Sequence, residues 1–126
     1  MEFAQIMKQH GFAAATAIVD RLRRTAPDET VVKESALNSM GYSLIDESHF
    51  TDAVSVLKLA AYVYPKSANA EDSLGDAYLA AGERDDARHA YQKAVALVAD
   101  DPGFDAAGKK AFALTEQGKI NQLGTE

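Results

Sequence analysis

Apolar and polar positions alternate through the middle of this chain with the spacing of amphipathic helices. Leu37, Met40, Gly41 and Leu44 lie three and four residues apart, as do Ala53, Val56, Leu57 and Ala60. A polar stretch, Asp46–His49, separates the two runs, and Pro65 closes the second because a continuing helix does not accept it. The same order returns 34 residues later. Met40-Gly41 aligns with Leu74-Gly75, Asp52 with Asp86, Ala53 with Ala87, Leu57 with Tyr91 and Ala60 with Ala94, with Gly82–Asp85 as the second polar turn. A fixed period of this length marks stacked supersecondary units. It predicts two antiparallel helix pairs, residues 34–67 and 68–101.

Glycine inside a helix costs about 1 kcal/mol relative to alanine, so Gly41 and Gly75 imply a neighbour passing too close for a β-carbon. Ala53 and Ala87 are expected opposite them, small against small, with Leu44, Tyr78, Leu57 and Tyr91 filling the space between pairs. The flanks extend the pattern. Phe3–His10 reads as a truncated helix, and Gly11, Phe12, Ala15, Val19, Leu22 and Pro27 read as a second one. Together with the linker Asp28–Lys33, these make residues 1–33 a degenerate repeat. Residues 102–118 are expected to form a capping helix, with Ala107, Ala111 and Leu114 facing inward and Lys109, Lys110 and Glu116 outward. Residues 119–126 are expected to be a frayed tail. About seven helices in one all-α domain result, a superhelix of stacked pairs.

These landmarks resemble the tetratricopeptide repeat, a 34-residue helix–turn–helix unit. Leu37, Met40-Gly41, Leu44, Ala53, Leu57, Ala60 and Pro65 match its pattern in the first unit. Leu74-Gly75, Tyr78, Ala87, Tyr91 and Ala94 match it in the second. Glu71 departs from it, standing where a large apolar residue belongs, and the proline is delayed to Pro102. The delay implies a longer final helix and a looser junction after it. The resemblance implies a scaffold that binds a protein or peptide on the concave side, lined by the first helix of each pair. The ligand-facing positions carried over are Ser35, Asn38, Tyr42 and Ile45, then Asn69, Asp72, Asp76 and Leu79. Asn38 and Tyr42 stand one helical turn apart, as do Asp72 and Asp76. An Asn grips a peptide backbone through paired donor and acceptor groups, and Tyr42 adds contact area at low entropy cost. The two aspartates favour Lys, Arg or an amino terminus. No Lys or Arg occupies these eight positions, which disfavours an acidic C-terminal tail as ligand. Equally, Asn38, Asn69 and Asp72 would serve to hydrogen-bond across the groove and hold the stack in register.

Charge narrows the partner further. The net charge of −6 is uneven. Residues 1–27 carry four bases and two acids, whereas the rest carries nine bases and seventeen acids. Such an acidic body repels a phosphate backbone, and the Arg21, Arg23 and Arg24 cluster reads as a solvated face, so nucleic acid is not an expected partner. The absence of cysteine excludes disulfides and thiolate chemistry. No apolar run is long enough to span a membrane, and the first ten residues lack the pattern of a signal peptide. A cytoplasmic location is the resulting expectation, or a periplasmic one for a piece of a larger protein.

Catalysis finds little footing. Ser55 and Lys58 match the Ser-x-x-Lys motif of serine β-lactamases, but the companion Ser-Asp-Asn and Lys-Thr-Gly elements are missing. His10, His49 and His89 are scattered over three units without a carboxylate at metal-ligand spacing. Neither an enzyme nor a cofactor is expected. The stretches 34–42 and 64–75 also resemble repeats appended to bacterial serine hydrolases of β-lactamase-like and esterase type. This implies, as a second role, an accessory domain beside a catalytic one. A third expectation is a homodimer, because two full repeats fall below the usual three of a stable solenoid.

Overall fold

The structure, a computed structural model, describes residues 33–124 together with positions 13, 16, 17, 20 and 24, which are helical. Among the described residues there are five long helices and no strand: α1 (Glu34–Asp46), α2 (Phe50–Val63), α3 (Ala68–Ala80), α4 (Arg84–Val98) and α5 (Ala106–Gly124). The expected helices before residue 28 lie outside the described residues apart from those five positions. Helix α1 packs on α2, α3 on α4, and the second pair docks on the first through α2–α3 and α1–α3; α5 closes on α4.

Both pairs turn by the same hydrogen-bonded device. In the first, the His49 and Ser48 amides donate to the Leu44 and Ile45 carbonyls at 2.8 and 2.9 Å. In the second, Glu83 and Gly82 donate to Tyr78 and Leu79 at 2.9 and 3.0 Å. This crossed pattern satisfies the last carbonyls of a helix and needs one left-handed residue. Gly82 supplies it at φ 81°, and Ser48, 34 residues earlier, adopts φ 64° despite its side chain.

The two helical glycines are also explained in register. A β-carbon on Gly41 would lie 2.5 Å from Leu57 Cγ, and one on Gly75 would lie 2.5 Å from Tyr91 Cε1. The large side chain sixteen residues downstream lies nearest the space that each glycine vacates. Ala53 and Ala87 are fully buried, the first with Leu57, Leu74, Ala77 and Ala90 in one cluster and the second with Tyr91 and Leu123 in another.

Two expectations change at the C-terminal end. The junction after Ala99 is pinned, because Asp101 accepts from the Ala68 amide at 3.0 Å and Lys109 Nζ donates to the Ala99 carbonyl at 2.8 Å. Helix α5 runs through Gly124, so residues 119–124 are helix and not tail. Its inward face is also rotated from the expected one. Ala107, Ala111 and Leu114 are exposed, Leu114 by 65%, while Glu116 is 1% exposed and Leu123 is buried. Three small or solitary apolar side chains bury less area than Phe112, Ile120 and Leu123 together, so the helix turns the latter inward. Glu71, the outlier in the repeat, is buried where Leu37 sits in the first pair, and Lys93 reaches it at 3.2 Å.

Candidate functional site

The predicted ligand-facing residues separate into two groups. Ser35 and Asn69 are exposed. Asn69 opens onto a cleft of about 430 Å³ walled by Glu34, Tyr64, Pro65, Asp101 and Phe104. Ile45 packs against the core cluster, and Leu79 remains 42% exposed. Asn38, Tyr42, Asp72 and Asp76 are half-buried and joined by bonds within the chain.

Their meeting follows from the repeat. Residues four apart on a helix share a face, and the 34-residue offset sets the face of α1 against that of α3. Ser73 Oγ donates to Asn38 Oδ1. Tyr42 donates its hydroxyl to Asp76 Oδ2 at 2.5 Å, and Tyr91 on α4 donates to Asp76 Oδ1 at 2.6 Å. Helix α5 completes the group. Lys119 Nζ lies 2.7 Å from Asp72 Oδ1 and 3.3 Å from Asp76 Oδ1, and 5.2 Å from the centre of the Tyr91 ring. Glu116, one turn earlier on α5, approaches the same ammonium at 3.6 Å.

Electrostatics fixes the protonation of these groups. Burial raises the Tyr42 and Tyr91 phenols, and the Asp76 carboxylate that accepts their hydrogen bonds raises them further, so both remain donors. Burial also works against the Lys119 charge, but the Asp72 bond and the charges of Asp72, Asp76 and Glu116 outweigh it, and its value is raised. Glu116 is pushed up to about 8 by burial first, then by Asp72 and Asp76, with Lys119 pulling the other way. Its Oε1 is buried without a hydrogen-bond partner.

Tyr91, Glu116 and Lys119 were not among the residues the sequence assigned to this site. Tyr91 reads as a packing landmark, Glu116 as an outer-face charge and Lys119 as tail. One signal pointed to the last two: Glu116, Ile120 and Leu123 form a stripe at helical spacing, with Lys119 beside it.

Two carboxylates and an aromatic face around one ammonium form a lysine clasp, with charge-assisted bonds on one side and cation–π attraction on the other. Among the described residues no group of three or more His, Cys, Asp or Glu side chains is placed to hold a metal ion, and no helix is long and apolar enough to cross a membrane. No protein-family model and no curated protein matches the chain.

Proposed function

We propose that this chain is a non-catalytic protein-binding module of tetratricopeptide-like type, whose α1–α3 face takes a lysine-bearing segment of a partner. One observation carries the proposal: Asp72 and Asp76 hold an ammonium group against the Tyr91 ring. The repeat-type reading is supported by recurrence at 34 residues of the glycine, the large side chain packed on it and the turn. The ligand chemistry is that of a cationic group, the ammonium of Lys as held here, or Arg or an amino terminus in its place.

The test compares the immobilised chain with an Asp72→Asn, Asp76→Asn variant as bait in extracts of its source cells. Proteins retained by the first and lost from the second, at equal helical content by circular dichroism, are the expected result. An identical retained set on both columns rules the acidic face out as the binding surface.

A second reading, self-association, is favoured by the exposed Ala107, Ala111 and Leu114 along α5. Sedimentation velocity across a wide concentration range tests it. A single monomeric species throughout removes that reading.

A further inference from the structure

The lysine that fills the clasp belongs to the chain itself. Its hold is local, and three observations describe it. The Lys119 side chain is still 31% exposed, so the ion pair lies at the edge of the groove and not in the core. Next to the clasp, α5 rests on α4 through Ile120 and Leu123 against Ala87 and Tyr91, with Arg88 donating to the Leu123 carbonyl at 3.2 Å, while Ala107, Ala111 and Leu114 face outward. Beside the clasp, the seam between α3 and α5 is open, a pocket of about 390 Å³ bounded by Asp76, Leu79, Arg84, Tyr91, Lys119 and Gln122.

Glu116 makes this hold conditional. Asp72 and Asp76 face it from α3, the Tyr91 ring from α4 and Lys119 from its own helix. As a neutral acid it adds no charge to the site. As a carboxylate it becomes a third anion around one ammonium, buried, with one oxygen lacking any hydrogen-bond donor. Such an unsatisfied charge strongly favours exposure to water, which α5 gains by lifting from the groove.

We infer that α5 is a releasable internal occupant of the Asp72–Asp76 clasp, held by Lys119 and loosened when Glu116 is charged, and that a partner helix presenting a lysine takes its place. This rests on the groove being the binding surface. The partner it fits resembles α5 itself: a helix with Lys on one face, followed by apolar residues one and four positions on, as Ile120 and Leu123 follow Lys119.

The probe is a labelled peptide of the α5 sequence, Ala106–Gly124, titrated by fluorescence anisotropy into the full chain and its Lys119→Gln variant, with amide hydrogen exchange followed in parallel. In the variant, exchange across α5 is expected to quicken at least about tenfold while α2, α3 and α4 change by less than about twofold. The variant is expected to bind the peptide at least about tenfold more tightly than the parent chain, whose own helix competes. A peptide with Gln at the lysine position is expected to bind neither. Unchanged α5 exchange in Lys119→Gln overturns release, whatever the peptide does. Rapid α5 exchange without peptide binding overturns the groove reading beneath it. Between about pH 6 and about pH 9, α5 exchange corrected for intrinsic rate should quicken in the parent and stay level in Glu116→Gln. An equal response in both removes Glu116 from the device.

Discussion

Gly75→Ala tests the packing on which the site depends. The added β-carbon would sit 2.5, 2.6 and 2.9 Å from three carbons of the Tyr91 ring, where ordinary contact begins at 3.4 Å. The ring must therefore retreat by about 1 Å in a close-packed interior. It has little room to do so, being fully buried against Ala87 and Leu123 and tied by its hydroxyl to Asp76. Overpacking of this kind costs about 1–3 kcal/mol. Loss of a hydrogen bond to a charged acceptor adds about 1.5–3 kcal/mol, and replacing a helical glycine by alanine returns about 1 kcal/mol. The net is a destabilisation of about 1.5–5 kcal/mol, read by urea denaturation followed at the helical circular dichroism band. Gly118 is the internal control, because a β-carbon there meets nothing within 4 Å. Gly118→Ala should therefore stabilise by about 1 kcal/mol. In a Tyr91→Ala background the Gly75→Ala penalty should vanish, giving a coupling above about 1 kcal/mol. If Gly75→Ala stabilises the chain as Gly118→Ala does, the close approach of Tyr91 is refuted, and with it the account of how Asp76 is positioned.

Other expectations are independent of that contact. Ser48→Gly, at φ 64°, should gain about 0.5–1 kcal/mol by relieving a left-handed side-chain residue, and an unchanged melting midpoint would count against the turn geometry. Glu71→Leu should be neutral or stabilising by about 1–2 kcal/mol, since an apolar residue suits the buried position that Leu37 holds in the first pair. A clear loss on thermal melting would mean that the Lys93 pair outweighs its desolvation. Glu116 carries a pH signature. Its value is raised in the folded chain to about 8 from 4.5, so the folded chain binds the extra proton between those limits. That contribution to stability is complete below the lower value and is lost as pH rises towards the upper one. Glu116→Gln should flatten this part of the stability curve, measured by urea midpoints across the range, and an unaltered slope would exclude Glu116 as its source.

Much of the architecture was legible because it is periodic. A glycine, a large residue sixteen positions later and a turn, each repeated at 34, reveal helix pairs without any knowledge of contacts. The candidate face was legible in the same way, since Asn38, Tyr42, Asp72 and Asp76 stand at equivalent positions on equivalent helices. What fills that face was not. Tyr91 and Lys119 lie 15 and 43 residues from Asp76, and no local pattern encodes pairings at those separations. The rotation of α5 was illegible for a related reason. Its alanines mimic an inward stripe, whereas the buried area of Phe112, Ile120 and Leu123 and the attraction of Lys119 to two distant aspartates decide the outcome. A buried glutamate contradicts the usual polarity of a helix, so Glu116 is read correctly only once its neighbours are known.

The seam between the two pairs joins unlike surfaces. Helix α1 offers a phenol and an amide, Tyr42 and Asn38, and α3 answers with a carboxylate and a hydroxyl, Asp76 and Ser73. The units are therefore equal in period but not interchangeable in order. An in-frame duplication of residues 68–101 would set Asp76 of one copy against Asp76 of the next, without the Tyr42 phenol that faces it across the present seam. A duplication of 34–67 would set Tyr42 against Tyr42. Either product would be penalised at its new junction, so the order of these two units is written into the polarity of one seam.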